Sequence, residues 1–214
     1  MVLILSGLYL TERIKEKEMD KIGTIEYKGY AIEVYYDSDP ISPREWDNLG
    51  TMVCFHNRYN LGDEHNYEPE EIIELVQRKD VIALPLYLYD HSGITMSCNL
   101  IYPFNDRWDA GQVGFIFVDY ATIREEYGCK YVTSAMKKKI ISYLENEVDV
   151  YDEYLVGNVY GFKVVNDEGE EIDSCWGYYG DINKSGLLDE AKGTIDYEIK
   201  QRESFVFANE GIGL

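Results

Sequence analysis

The sequence predicts an α+β fold: a mostly antiparallel or mixed sheet with hairpins, packed by one long helix and one or two shorter helices. Three observations predict it. Pairs of alternating apolar and polar runs meet at glycine-containing turns, once around Lys28-Gly29 and again around Asn166 to Gly169. The segment Thr133 to Leu155 repeats apolar residues at helical spacing. Strand signals come before, between and after the helical ones, without the regular alternation of a βαβ fold and without a glycine-rich phosphate loop.

The elements follow in order. Met1 to Leu10 is apolar, lacks the basic start of a secretion signal and falls short of the ~20 residues that span a bilayer, so it reads as a strand or docked arm. Thr11 to Lys21 is charged, either a short helix or a tether. Residues 1–23 are therefore expected to form an arm or appendage, and residues 24–214 a single α+β domain. Thr24 to Asp37 alternates around Lys28-Gly29 as a hairpin, and Asp39-Pro40 and Ser42-Pro43 punctuate its exit. Leu49 to His56 is a strand candidate. Pro69 to Lys79 has proline in the first turn, acids after it and an apolar face of Ile72, Ile73, Leu75 and Val76, which predicts a helix. Val81 to Tyr89 is apolar enough for a central strand, although Pro85 removes a ladder donor and implies a bulge or an edge. Ile94 to Cys98 and Gln112 to Asp119 add strands. The long helix carries Met136, Ile140, Ile141, Leu144, Val148 and Tyr151 on one face. Asn158 to Val165 and Glu170 to Trp176 form the late hairpin, and Leu187 to Arg202 a last helix interrupted by Gly193.

Composition narrows the partners. Forty Asp and Glu against twenty Lys and Arg give a net charge of -20, which repels phosphate backbones and suits a basic partner, a cation or plain solubility. Direct nucleic-acid binding and a membrane role are not expected. Twenty Tyr against seven Phe fit half-exposed sheets and contact surfaces. Cys54, Cys98, Cys129 and Cys175 show no zinc-site spacing and are expected to be reduced thiols of a cytosolic protein.

One charge pattern opposes helix chemistry. Lys137, Lys138 and Lys139 lie near the start of the long helix, and Glu145, Glu147, Asp149, Asp152 and Glu153 near its end, where the macrodipole favours the reverse. With Asp167, Glu168, Glu170, Glu171 and Asp173 downstream, these acids make either one partner-binding acidic face or a solvated one.

Two stretches are dense in chemistry-bearing residues. Ser42 to His65 holds Arg44, Glu45, Trp46, Asp47, His56, Asn57, Arg58, Asp63 and His65, and Tyr89 to Gln112 holds Asp90-His91-Ser92-Gly93 and Asp106 to Asp109. All three histidines fall in them. A centre built from His56, Asp63, Asp90 and His91 would offer a divalent metal mixed nitrogen and oxygen ligands. The competing reading is turn chemistry, since Asp90 to Gly93 and Asn60 to Asp63 are both good polar turns. Cys54 and His56 share a strand face, but Cys54 sits between Val53 and the apolar Phe55 like a core residue. No serine lies in a nucleophile elbow.

The string SPREWDNLGTMVCFHNRYNLGD (residues 42–63), with LYLYDHSG (86–93), AGQVGFIF (110–117) and DSCWGYYG (173–180), resembles a family of small acidic proteins encoded by bacteriophages and prophages. The resemblance covers Ile25 to Gly180. It implies a non-structural phage protein in the cytoplasm of the infected bacterial host and brings no catalytic assignment. The combined expectation is a phage accessory protein that binds and inhibits a host or competing nucleic-acid-handling protein, with an acidic surface that imitates DNA as anti-restriction and anti-CRISPR proteins do. Such a protein requires no cofactor. Two alternatives stay open: a small metal-dependent or nucleotide-processing enzyme using stretches 42–65 and 89–112, with a divalent metal, and a virion or replication adaptor.

Overall fold

The computed structural model describes residues 20–98 and 110–210, and side chains throughout these except at residues 110 and 206–210. It is an α+β protein with two four-stranded antiparallel sheets. The strands are β1 (Lys21–Tyr27), β2 (Tyr30–Tyr36), β3 (Thr51–Cys54), β4 (Val81–Asp90), β5 (Ile94–Ser97), β6 (Ala110–Asp119), β7 (Val159–Val165) and β8 (Glu171–Tyr179). The helices are α1 (Pro69–Val76), α2 (Tyr120–Glu126), α3 (Ser134–Leu155) and α4 (Leu187–Glu210), and a short 3-10 turn covers Pro43–Glu45. Of the arm expected at residues 1–23, residues 1–19 lie outside the described residues, as does the Asp106 to Asp109 cluster, whereas Lys21 to Gly23 are not an appendage but the start of β1, paired with β2.

The first sheet runs β1-β2-β7-β8. Its β1–β2 turn has φ of 49° at Lys28 and 84° at Gly29, the two positive values that a two-residue hairpin loop needs to match strand twist. The β7–β8 turn is the late hairpin. Pairing β2 with β7 joins the two hairpins across most of the chain. α4 covers one face of this sheet, placing Leu187, Ala191 and Ile195 on Ile32, Val34, Phe162 and Val164. It runs through Gly193 without a break, because Ala191 and Ile195 on either side are fully buried and hold the turn in place.

The second sheet runs β3-β6-β4-β5. β4 alternates buried and half-buried residues along its length. Pro85 behaves as its chemistry demands: it pairs only with β6, because β5 reaches no further than Tyr87, and the register slips immediately after it, between Leu86 and Tyr87. α3 lies on one face, with Ile140, Leu144, Val148 and Tyr151 buried against Met52, Leu86, Met96 and Ile116. α1 covers Val53 and Phe117 on the other through Ile72. At the end of β8, Tyr179 donates a hydrogen bond to the Ile41 carbonyl and stands edge-on to Trp46, with ring centres 5.1 Å apart, which ties the first sheet to the segment that leads into the second. α2 has no counterpart among the expected elements. Asp119 caps it by accepting from the Ala121 and Thr122 amides at 2.8 Å, but only Ile123 is buried, too few apolar positions to betray a helix. All four cysteines are free. No helix among the described residues is long and apolar enough to cross a membrane.

Candidate functional site

Arg44 is the centre of the first dense stretch. Its side chain is 4% exposed and lies between two carboxylates. Asp63 takes Nε and Nη2 as a fork at 2.8 and 2.9 Å, Glu147 takes Nη1 at 3.0 Å, and the Gly50 carbonyl accepts from Nη2 at 2.6 Å. The carboxylates are equally occupied on their far sides. Glu147 accepts from the Leu49 and Gly50 amides at 2.9 and 3.1 Å, and Asp63 from the Met52 amide at 2.7 Å. Burial, the largest influence, works against the Arg44 charge, but the hydrogen bonds and charge of Asp63 and then Glu147 outweigh it and hold its pKa above the usual value. Around this clamp the Ser42 hydroxyl accepts from the Arg44 amide, and Asn48 donates to the Pro43 and Trp46 carbonyls. Stretch 42–63 thus folds onto itself and onto α3.

The histidines are occupied separately. His56 Nδ1 accepts from the Arg58 and Tyr59 amides, both at 3.2 Å, and its ring stacks on Tyr59. His65 lies on the opposite side of β3, with Nε2 3.0 Å from the Cys54 carbonyl, so Nε2 carries the proton and donates. Asp90 pairs with Arg58 and accepts from the Tyr59 hydroxyl, and His91 sits exposed in the following turn, where its amide donates to the Gly93 carbonyl. Of the four expected ligands, Asp63 belongs to the Arg44 clamp and Asp90 to Arg58. Among the described residues no three His, Cys, Asp or Glu side chains come together in ligating geometry. Burial pushes the Cys54 thiol up to about 12, with Asp63 adding to it, so Cys54 is core and not a nucleophile at neutral pH.

The inverted charge pattern of the long helix has a tertiary cause at each end. At the start, Lys137 lies over the Tyr120 ring at 4.9 Å and Lys139 over Tyr127 and Tyr143 at 5.1 and 5.4 Å, contacts that offset the unfavourable dipole. At the end, the acids meet donors. Glu147 takes the two amides of the clamp, Asp152 takes the Met96 amide at 2.7 Å, and Glu153 takes Asn158 Nδ2 at 2.7 Å. Only Glu145 and Asp149 are exposed.

Asp152 is held partly out of water. Burial pushes its pKa up to about 6, Glu153 and Asp149 add to the shift, and the Met96 hydrogen bond opposes it. A carboxyl raised in the folded state stabilises fully below its unfolded value near 4, and that stability is lost as pH rises through about 6. Asp152→Asn keeps an acceptor for Met96 and removes the charge. Urea unfolding at pH 7.5 should show the variant more stable by about 1 kcal/mol after allowance for solvent access, with the difference shrinking as pH falls from 6 towards 4.

The remaining acids lie elsewhere. Asp167, Glu168, Glu170, Glu171 and Asp173 are all exposed on the β7–β8 hairpin. The length of β7 puts its turn about 23 Å from the end of α3, so the ten acids form two groups and not one continuous face. The hairpin turn is tightly held. Asn166 is 6% exposed, and its Oδ1 accepts from the Glu168 and Glu170 amides at 3.0 and 2.8 Å. A third feature is a cleft of about 440 Å³ between residues 47–49, α2 and α3, with Asp47, Glu126, Tyr127 and Tyr143 in its walls. No sequence signal announced it, because its walls come from three separate segments. Comparison of the chain with family models, with curated proteins and with solved structures finds no match.

Proposed function

We propose that the protein binds a basic partner, a host or competing nucleic-acid-handling protein, through the carboxylates of the β7–β8 hairpin, and that it inhibits that partner in the infected cell. The observation that carries this reading is the rigid display of acids at the hairpin. Asp167 and Glu168 project from a turn fixed by a buried asparagine, so binding does not have to order them. The net charge of -20 adds long-range attraction for a basic surface. The phage-family resemblance of residues 42–63 supplies the setting. An array of carboxylates held at fixed spacing is the means by which a protein occupies a groove made for phosphates.

The test is a salt series of association rates against the partner recovered by affinity capture from the bacterial host. From about 0.05 to 0.5 M salt the association rate should fall roughly tenfold or more, as charges beyond the Debye length are screened. Asp167→Lys with Glu168→Lys should slow association by a similar factor at low salt without loss of fold, since both side chains are exposed. A rate indifferent to salt removes the electrostatic reading, and a double variant as fast as the parent removes the hairpin from it.

A further inference from the structure

The cleft between residues 47–49, α2 and α3 has a chemistry of its own. Tyr127, the residue that ends α2, and Tyr143, on the exposed side of α3, both contribute rings to it. Burial raises the Tyr127 pKa, and the neighbouring Tyr143, through its charge and a side-chain hydrogen bond, raises it further, so the two rings act as neighbours. Asp47 and Glu126 stand exposed in the same walls. The Glu147 carboxylate forms part of the floor, held there by Arg44 and two backbone amides.

A cation already occupies the rings. The ammonium of Lys139 lies 5.1 Å from the centre of Tyr127 and 5.4 Å from that of Tyr143, within the range at which the negative face of an aromatic ring attracts a positive charge. Lys139 is itself exposed, on a long flexible stem. The two rings thus attract an ammonium from Lys139, which stands not in the walls of this cleft but beside it, with Ser142, Tyr143 and Asn146. Two tyrosine faces with carboxylates at the rim match an ammonium or guanidinium group.

We propose that this cleft is a cation-binding site that takes a lysine or arginine side chain of the basic partner, with Tyr127 and Tyr143 as the ring walls, Asp47 and Glu126 as the charged rim, and Lys139 as a neighbouring positive charge that opposes the incoming cation. The proposal rests on the reading of the protein as a binder of basic surfaces, to which it adds an anchor. The hairpin acids set how fast the partner arrives, and the tyrosine cleft sets how long one of its side chains stays.

The test needs no partner. Choline, a free ammonium probe, and dimethylbutanol, in which carbon replaces the charged nitrogen, are titrated into the full chain while the Tyr143 ring signals are followed by NMR. Choline should bind weakly and dimethylbutanol at least fivefold more weakly, because the attraction is to charge and not to shape. Tyr143→Leu keeps the apolar bulk and removes the ring electrostatics favourable to a cation, and should weaken choline about two- to fivefold. Lys139→Met removes that neighbouring positive charge and should tighten choline by a similar factor. Equal binding of the two probes, no binding to Lys139→Met, or tighter binding to Tyr143→Leu would overturn the site. These outcomes are independent of the salt series. A salt-insensitive partner with a choline-binding cleft would end the proposed function and leave the site, and the converse would leave the function and end the anchor.

Discussion

Replacing Arg44 with Met should destabilise the protein by about 3–5 kcal/mol, the loss expected when one member of a buried charge group is removed and its partners are left behind. The side chain is 4% exposed, and nearly all its donors are engaged. Without it, Asp63 and Glu147 remain as two carboxylates in the same partly buried space, and the Gly50 carbonyl loses its donor. The variant should also loosen residues 42–63 from α3, because the clamp is what crosses between them. Urea denaturation at neutral pH measures the loss. Hydrogen exchange at Leu49, Gly50 and Met52, whose amides donate to the two acids, locates it. A triple variant, Arg44→Met with Asp63→Asn and Glu147→Gln, should recover about half of the loss, since the neutral amides keep the acceptors for those backbone donors and remove the unpaired charge. A triple variant as unstable as Arg44→Met alone would mean that packing, and not charge, makes Arg44 important. A single variant within about 1 kcal/mol of the parent would mean that the clamp contributes no more than a surface pair.

Gly114→Ala should cost about 2–4 kcal/mol, which is large for a single methyl group. Gly114 sits in β6 between Cys54 of β3 and Leu86 of β4, where the backbones of β3 and β6 approach too closely for any side chain. A Cβ there would be driven into the Val53 carbonyl oxygen, with the carbonyl carbon at 2.9 Å and Cys54 Cα at 3.0 Å. The obstacles are backbone atoms of a paired strand, so no rotamer change relieves them and β3 must move. Such a shift would reach the clamp, because Met52 of β3 donates its amide to Asp63. Thermal unfolding should show a loss of several degrees, and a variant with an unchanged melting temperature would mean that β3 moves freely against β6.

The elements that could be read from sequence were those with a local cause. Lys28-Gly29 carries its turn in its own backbone preferences, and Pro85 announces a broken ladder wherever it sits. The face of α3 follows from the spacing of Ile140, Leu144, Val148 and Tyr151. The division into two sheets is different in kind. Strand β2 joins β7 through residues such as Ile32 and Val164, whose pattern says only that they are buried and nothing about each other. The acids illustrate the same limit at the site. Glu147, Asp152 and Glu153 look like solvated charges in sequence, and become hydrogen-bond acceptors only because the Gly50 and Met96 amides and Asn158 are brought to them by other elements. Asp90 to Gly93 folded as the turn its composition favours, whereas Asn60 to Asp63 did not: Gly62 bridges to Val53 of β3, and Asp63 serves the clamp. The pairing of Tyr127 with Tyr143 joins the end of α2 to the exposed side of α3, and no short window along the chain contains it.

The position of the acidic hairpin within its sheet has a further consequence. Among the described strands, β8 is one of the two outermost of its sheet, and no described strand pairs with its outer row of backbone donors and acceptors. Such a row is a template on which another copy of the chain can assemble, and long apolar edges are where aggregation begins. β8 begins with Glu171 and Asp173, both exposed, so a second copy approaching in register would bring carboxylate against carboxylate. Charges placed at such an edge act as gatekeepers against that pairing. The charge proposed to draw in a basic partner would, at the same edge, oppose pairing with a second copy.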